Sequence, residues 1–478
     1  MPSTSEHFRY KPRPAIAYAA QFVVCALATV CPVLFADSLL SPLKAPSVNF
    51  SPVVGPAFGS NNPTDLRWLL KTEAEYEKAA NSKSNTALSS EVPVPMLAID
   101  HAKDQLATAR SVAGDYLGAL QLLQDRNLRI DLGQSLPDQN SYSTADLREF
   151  EPRDAIASIV EMARSRQIVI LNEAHHVSRH RAFALKLAEA LREIGFSYLA
   201  CETFNDFTEE TKSRGYPNVD TGSYTREPLF ADFVRRSLAI GYTPIAYEYR
   251  PPSNSSVLDA GAAIGIREQA QAENLMRRIF TIDPKAKVLI YVGYSHLRKE
   301  PNTTSLATKK ELRWMASRLK TLSGLDPLTV DQTSLTDPPS GSAPANYLDA
   351  AIALNPAQTA KPLVLRSKKT PDKFRVAGQY AGDVDMQVLH PRTRTVNGRP
   401  DWLAMDGYRR VLPIPEDIWP IKGRRLVQAF VPTELQGAAH KAIPLDQIVV
   451  TPDDRGRTTL MVPKGEVVVR FVDAIGLK

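Results

Sequence analysis

The segment Ile168–His176, with the sequence IVILNEAHH, decides the fold of the central part of the chain. It opens with four apolar residues, and a short continuous apolar run predicts a strand that is buried on both faces. Similar runs occur at Tyr198–Cys201, Pro244–Tyr247 and Lys287–Val292, with helical periodicity between them. This alternation predicts an α/β fold, in which a largely parallel sheet is flanked by helices.

The segments on either side of this α/β domain, predicted over 151–335, have different compositions. The chain has 36 prolines against 23 glycines, and the prolines cluster where we expect boundaries. Short alternating runs such as Val467–Phe471 predict strands near the C-terminus. The predicted order is a signal peptide or anchor (1–36), a linker (37–63), a helical segment (64–150), the α/β domain, a linker (336–375) and a small β-sandwich-like all-β domain (376–478).

The N-terminal segment predicts export. Arg9, Lys11 and Arg13 precede the apolar run Ala15–Ala36, which is the pattern of a secretory signal and is also long enough to act as an uncleaved anchor. A periplasmic or secreted protein is therefore expected, with membrane contact only through this segment. Outside this segment the sequence has one cysteine, Cys201. It lies in an apolar run, so its thiol is predicted to be packed and inert.

The overall composition excludes several classes of protein. Of the 478 residues, 43% are apolar and 23% are charged, as in ordinary globular proteins and unlike disordered, collagen-like or polytopic membrane chains. The net charge of +6 is not gathered into a block of like charges, so no nucleic-acid partner is predicted. The expected partner is a small-molecule or peptide substrate.

Polar residues capable of catalysis follow all four predicted strands. Because ligands bind at the carboxyl ends of parallel strands, these side chains are expected to converge at one edge of the sheet. Arg267 begins a helix nearby. The predicted catalytic residues are Glu173, His175, His176, Glu202, Glu248, Arg267 and His296.

These residue types suit hydrolysis by activated water. Glu173 would orient His175 or His176 as the general base, and the spacing leaves open which histidine acts. Arg267 would stabilise an oxyanion, and His296 would serve as a second base or as a polarising group. Glu202 and Glu248 would adjust the charge of the site.

Three stretches within residues 160–300 resemble the erythromycin esterase/ChaN-like superfamily, which is related to the Tiki/TraB-type proteins. Asn172–His176 resembles its Gly-Glu-x-His opening, with Asn172 in place of glycine. Gly293–His296 resembles its Gly-x-x-His motif. Arg267–Asn274 resembles its Arg-[Asp/Glu]-x-x-Met-Ala-x-Asn helix, with Gln271 in place of methionine.

The resemblance implies an α/β core but allows several activities. Esterases of this group hydrolyse a lactone with Glu/His chemistry and no required metal, which agrees with the reading from the residues. Tiki/TraB-type members imply a metal-dependent protease, here with zinc or manganese between His175, His296 and a carboxylate. ChaN-type members imply a binding protein for haem or another iron compound, with a histidine or one of four rim tyrosines as its ligand. Those tyrosines are Tyr247, Tyr249, Tyr291 and Tyr294.

Overall fold

A computed structural model describes residues 48–50, 66–81, 94–124, 139–250, 260–303, 311–356 and 360–474. The predicted signal or anchor lies outside these ranges, as does most of the first predicted linker. Within them, no helix combines the length and apolar character needed to cross a membrane.

Six parallel strands form the central sheet, in the order β11-β9-β3-β6-β4-β5. They are β3 (Ile168–Glu173), β4 (Tyr198–Cys201), β5 (Thr243–Ala246), β6 (Val288–Gly293), β9 (Leu328–Asp331) and β11 (Met386–Gln387). The four strands predicted from their apolar runs are therefore neighbours. The two outer strands β9 and β11 were not predicted, because their short sequences carry no distinct signal.

The apolar run of β3 is continuous because each face of the sheet packs against its own core. Val169 and Leu171 belong to one core, while Ile168 and Ile170 belong to the core on the opposite face. All six residues of the strand are buried. A strand with only one covered face would show alternating polar residues instead. The predicted α/β class, with helices on both faces of a largely parallel sheet, is confirmed.

Helices connect and cover these strands. The described helices are α1 (Leu66–Asn81), α2 (Val94–Val112), α3 (Tyr116–Gln124), α4 (Ala155–Ala163), α5 (Ser178–Arg192), α6 (Thr208–Arg214), α7 (Pro228–Ala239), α8 (Ala260–Leu275), α9 (Met315–Ser323) and α10 (Ala343–Ala353). α8 continues into a π-helical turn, Met276–Phe280. α9 ends at Gly324, which takes the left-handed conformation with φ 68° that glycine adopts readily at a helix end.

The other strands lie mainly toward the C-terminus. They are β1 (Val48–Phe50), β2 (Phe150–Asp154), β7 (Asn302–Thr303), β8 (Glu311–Leu312), β10 (Leu363–Ser367), β12 (Thr395–Val396), β13 (Arg399–Pro400), β14 (Arg409–Leu412), β15 (Arg425–Phe430), β16 (Asp446–Val450), β17 (Leu460–Pro463) and β18 (Val467–Asp473). A mostly antiparallel sheet, β1-β18-β15-β16, and the β14–β17 pair enclose an apolar core. The prediction of strands near the C-terminus is confirmed, and the structure shows that most of them pair antiparallel.

Contacts extend across the predicted boundaries. The region predicted as the second linker contains α10 and β10, and β10 pairs with β2. β1, within the first predicted linker, pairs in parallel with β18. α1 and α2 pack against Leu426 of β15. The described residues, all of which lie between Pro46 and Lys478, accordingly belong to one compact unit.

Candidate active site

The carboxyl ends of β3, β4, β5 and β6 bring six of the seven predicted residues together in two adjacent groups of hydrogen bonds and ion pairs, which approach each other at Gly293. Glu173 ends β3, Glu202 follows β4, and Glu248 lies two residues beyond β5. His296 is on the short 3-10 turn after β6, and Arg267 reaches in from α8. His175 and His176 both lie on the turn after β3.

Glu173 holds His175 in place and is itself held by a buried arginine. The Glu173 carboxylate is 3.0 Å from Nδ1 of His175 and accepts hydrogen bonds from Nε and Nη2 of Arg181 at 2.8 and 3.1 Å. Burial alone would raise the pKa of Glu173. However, the Arg181 charge and the hydrogen bonds to His175 and Arg181 lower that pKa to about 2. Glu173 is therefore ionised at any physiological pH.

Arg181 is a supporting residue that lies outside the predicted set of catalytic residues. Arg179, His180 and Arg181 were expected at the surface or in support of the site, but all three are buried. Arg181 also donates to Glu227 at 3.1 Å, and Glu227 caps the N-terminus of α7. Of the two alternatives, burial excludes the surface position for these three residues, and Arg181 takes the supporting role.

The His175 ring is clamped between two tyrosines. Its plane stacks on Tyr224 with ring centroids 4.1 Å apart and an angle of 9°, and Tyr294 meets it edge-on at 5.4 Å. Tyr294 has φ 33°, a conformation that is strained in a residue with a side chain. The contacts with Glu173 and Tyr224 select His175 as the candidate base, whereas His176 is half-buried next to it.

Gly293 brings the two halves of the site together. A Cβ atom built there would lie 2.8 Å from Nε2 of His175 and 3.1 Å from Oε2 of Glu202. The Gly293 amide donates to that same oxygen at 2.6 Å. Only a residue without a side chain lets His175 and Glu202 approach the same point, which explains the glycine in the predicted Gly-x-x-His motif.

His296 lies between two carboxylates. Its Nδ1 is 2.9 Å from Glu268, and its Nε2 is 3.3 Å from Glu202. Burial alone would lower the pKa of His296, but the two negative charges outweigh burial and raise that pKa to about 10. The ring therefore carries a proton and a positive charge at neutral pH. Of the two predicted roles, this favours the polarising group over a second base.

Arg267 links three of the predicted residues. Its guanidinium donates to both Glu202 and Glu248, and Nη1 lies 3.2 Å from Nε2 of His296. The side chain is 35% exposed, so part of it remains available to a bound molecule. Burial alone would raise the pKa of Glu202, but the charges of His296 and Arg267 outweigh burial and hold that pKa well below its ordinary value.

Glu268 and Tyr224 were missed from the sequence. Glu268 is fully buried and also accepts a hydrogen bond from the backbone amide of Met315 at 2.7 Å. Its signal was its place directly after Arg267, in the acidic position of the resembling helix motif. Tyr224 lies on a 3-10 turn in the connection between β4 and α7 and carries no such signal.

The residues of the predicted metal centre already have other partners. Arg267 bridges Glu202 and Glu248, and both ring nitrogens of His296 face carboxylates. In the described ranges, no group of three or more His, Cys, Asp or Glu side chains is arranged to hold a metal ion. A divalent ion between His175, His296 and a carboxylate does not fit this arrangement, and no step is assigned to one.

The predicted tyrosine rim for haem is only partly present. Tyr247 and Tyr291 are each 1% exposed and pack into the cores on the two faces of the sheet. Tyr249 and Tyr294 are half-buried. The prediction that all four tyrosines line the rim is thus wrong for the first two, because Tyr247 directly follows a strand and Tyr291 lies within a buried one. Cys201 is buried as predicted, and burial raises the pKa of its thiol.

Comparisons with known proteins give distant likenesses. No family model and no curated protein matches the chain. A solved structure described as bacterial protein toxins aligns with 13% sequence identity and a TM-score of 0.28, over 54% of this chain and 52% of the other. The present chain thus spans about half the length of that protein.

Two other solved structures also match. The type III effector HopBA1 has 14% identity and a TM-score of 0.28, over 41% of this chain and 91% of the other. The C-terminal region of Pasteurella multocida toxin is described as having a thiol-protease-like catalytic triad. It has 11% identity and a TM-score of 0.27, over 50% of this chain and 31% of the other.

Proposed function

We propose that this protein is an exported hydrolase that cleaves an ester, a lactone or an amide with water activated by His175. The observation that carries the proposal is the fixed orientation of His175. Its Nδ1 faces the ionised Glu173 at 3.0 Å, while its Nε2 faces the space over Gly293 beside Glu202.

The base in this reaction is Nε2 of neutral His175. An ionised carboxylate accepts hydrogen bonds only, so the hydrogen of the neutral ring resides on Nδ1 and Nε2 keeps a free lone pair. Nε2 can take a proton from water as the oxygen attacks the substrate carbonyl. Glu173 then stabilises the imidazolium, and the same proton passes to the leaving group when the tetrahedral intermediate breaks down.

The developing oxyanion needs positive charge on the opposite side, and two groups supply it. Arg267 and protonated His296 lie next to each other, both against Glu202. Their positions are fixed before substrate binds, so they need not reorganise during the reaction. Glu202 and Glu248 hold the arginine in place. The motifs that resemble the erythromycin esterase/ChaN-like superfamily support the same class of reaction.

The experiment is an activity screen with paired histidine variants. Chromogenic esters, lactones and amides are offered to the wild type, to His175→Gln and to His176→Gln. We expect His175→Gln to lose ~10²–10⁴-fold in kcat and His176→Gln to stay within about threefold of wild type, since a structural neighbour contributes no proton transfer. Circular dichroism verifies that each variant is folded.

Three outcomes would contradict the assignment. If Glu173→Gln and His296→Ala both keep full activity on a cleaved substrate, these residues do not form the site. If His176→Gln is the inactive member of the pair, the base has been assigned to the wrong histidine. Activity that is lost in chelator and restored by zinc or manganese would favour a metal-dependent protease instead.

Export is the part of this proposal that rests on the sequence alone. The basic residues before the apolar run Ala15–Ala36 support it. Fractionation of cells that express the full chain should place the protein outside the cytoplasm. Leu27→Arg, which interrupts the apolar run, should retain it inside. Equal distribution of the two forms would contradict export.

A further inference from the structure

Asn172 is a polar residue near the end of β3 that the proposed mechanism does not use. It directly precedes Glu173 and is fully buried. In the sheet, β3 lies between β6 and β9. Glycine, which occupies this position in the resembling motif, has no side chain that could form a hydrogen bond. The amide of Asn172 therefore makes contacts that glycine could not make.

The Asn172 amide joins the segments that follow both neighbouring strands. Its nitrogen donates to the backbone carbonyl of Tyr294 at 3.1 Å and to Asp331 at 3.0 Å. Its oxygen accepts from the backbone amide of Gln332 at 2.8 Å. Because a backbone amide can only donate, the orientation of the side chain is fixed, with its nitrogen toward Tyr294. Asn172 thus connects the turn after β6 to the end of β9.

Tyr294 has a backbone conformation that residues with side chains rarely adopt. Its φ is 33°, and such a conformation persists only where the surroundings enforce it. The hydrogen bond from Asn172 to the Tyr294 carbonyl is one restraint. The packing of Tyr294 against Ala174 and Val177 is another. Together they hold the Tyr294 ring in its observed position.

The Tyr294 ring borders the proposed base. It meets the His175 ring edge-on, with centroids 5.4 Å apart and an angle of 84° between the planes. Tyr294 also begins the 3-10 turn that carries His296. Asn172 is thereby linked to both histidines of the site through a single residue.

We propose that Asn172 is a positioning residue for the hydrolytic centre, an inference that rests on the proposed function. Its hydrogen bond holds Tyr294 in the strained conformation, and the Tyr294 ring then keeps the His175 ring in place. Without this bond, Tyr294 relaxes toward an unstrained conformation and the His175 ring can turn. A displacement of about 1 Å in a catalytic group can cost about 100-fold in rate.

The kinetic test uses the substrate that the activity screen identifies. In Asn172→Ala, kcat should fall ~10-fold to 100-fold while KM stays within about twofold of wild type, since the lost contact orients the base and does not bind the substrate. Asn346→Ala, at an exposed position on α10, is the matched control and should leave both constants unchanged. An unchanged kcat in Asn172→Ala, or a loss confined to KM, would overturn the proposal.

A double variant shows whether Asn172 acts through Tyr294. Tyr294→Gly removes the ring and relieves the strain, because glycine adopts a positive φ readily, so kcat should fall by a similar factor. Adding Asn172→Ala to Tyr294→Gly should then lower kcat less than about twofold further. Losses that multiply in full would show two independent effects and exclude the proposed link.

A spectroscopic test does not depend on activity. An aromatic ring changes the NMR shifts of nearby protons, so the ring protons of His175 in histidine-labelled protein report on Tyr294. Tyr294→Gly and Asn172→Ala should move these resonances in the same direction, while those of the exposed His440 stay in place. His175 resonances that respond to Tyr294→Gly but not to Asn172→Ala would refute the link.

A second variant covers the case in which Asn172→Ala does not fold. Asn172→Ser keeps an acceptor for the Gln332 amide but is too short to reach the Tyr294 carbonyl, so the same kinetic and NMR results are expected of it. A wild type that cleaves no substrate, yet shows the coupled His175 shifts, would disprove the hydrolase and keep the link between Asn172 and the His175 ring.

Discussion

At the residue scale, the two site histidines differ because their carboxylate neighbours differ. His296 has Glu202 on one nitrogen and Glu268 on the other, so the charged ring is favoured. His175 has one carboxylate, Glu173, whose negative charge is already shared with Arg181. His296 is therefore suited to donate hydrogen bonds and His175 to accept a proton, although both residues are histidines.

The charge on His296 predicts a loss of stability at alkaline pH. Because its folded pKa of about 10 lies above the ordinary 6.5, its contribution is complete below pH 6.5 and disappears as the pH rises through 10. In this window the free energy of unfolding should fall by up to about 1.4 kcal/mol per pH unit. Urea unfolding at several pH values measures this, with His296→Gln as the reference. Parallel curves for the two proteins would contradict it.

Glu268 is predicted to position and charge His296. Glu268→Gln keeps a hydrogen-bond acceptor but removes a negative charge, so the pKa of His296 should fall by roughly one to two units. NMR titration of the ring would show the shift, and the alkaline limb of the pH–kcat profile should move with it. Glu273→Gln, an exposed position on the same helix, is the matched control. An unmoved ring titration in Glu268→Gln would refute this role.

At the element scale, one side of α8 organises the edge of the site. Gln271 donates to both oxygens of Glu248 at 3.1 Å, and Asn274 donates to the Tyr247 carbonyl at 3.1 Å. On the same helix, Arg267 donates to Glu248, and Glu268 contacts the His296 ring. Gln271, which departs from methionine in the resembling motif, thus forms part of the support for Glu248.

The end of β6 is predicted to tolerate no side chain at its last residue. In Gly293→Ala, the new Cβ would lie 2.6 Å from Cε1 of His175, so the ring must move. We expect kcat/KM to fall about 100-fold, as misplacement of a catalytic group by 1 Å can cost, while overpacking costs ~1–3 kcal/mol of stability. In Gly265→Ala on α8, the new Cβ would make only an ordinary contact with Arg318 at 3.8 Å, so kcat/KM should stay unchanged. Full activity in Gly293→Ala would contradict the close approach.

At the scale of the whole molecule, the C-terminal strands share the core of the α/β sheet. Val388, Leu403 and Met461 pack in the same core as Val169 and Leu171 of β3. β11 extends the central sheet itself. The predicted all-β domain is therefore joined to the α/β domain by buried apolar surface, which favours unfolding as one unit.

A buried ion pair tests this coupling. Arg409 of β14 contacts Asp232 of α7 at 3.0 Å, with 0% and 3% of the side chains exposed. Asp232→Asn leaves a buried charge without its partner and should cost ~3–5 kcal/mol. Urea unfolding should remain a single transition by circular dichroism and tryptophan fluorescence alike. Lys369→Gln, in an exposed pair with Glu149, should change stability by less than about 1 kcal/mol.

Two separate transitions in the wild type would contradict the shared core. So would a selective loss of the C-terminal transition in Asp232→Asn. Tryptophans on both sides of the predicted boundary, Trp314 and Trp419, make the comparison possible by single-tryptophan variants.

The sequence by itself determined the α/β class, because a strand buried on both faces must be apolar throughout, as Ile168–Leu171 is. It also determined which polar residues follow the strands, because parallel strands bring their carboxyl ends to one edge. These are local or topological properties, and they are readable from spacing. The choice between His175 and His176 could not be made from spacing, because the two residues are adjacent on a turn and differ only in the contacts of their side chains.

Only the tertiary structure decided the charge and support of the site. Arg181, Glu227 and Glu268 are buried charged residues whose partners are distant in sequence, such as Arg181 and Glu227, 46 positions apart. A charged side chain becomes buried only where folding brings a partner of opposite charge to it. The periodicity of the sequence does not indicate which distant residue that partner is. For the same reason, the shared core of the β and α/β regions emerged only from their packing.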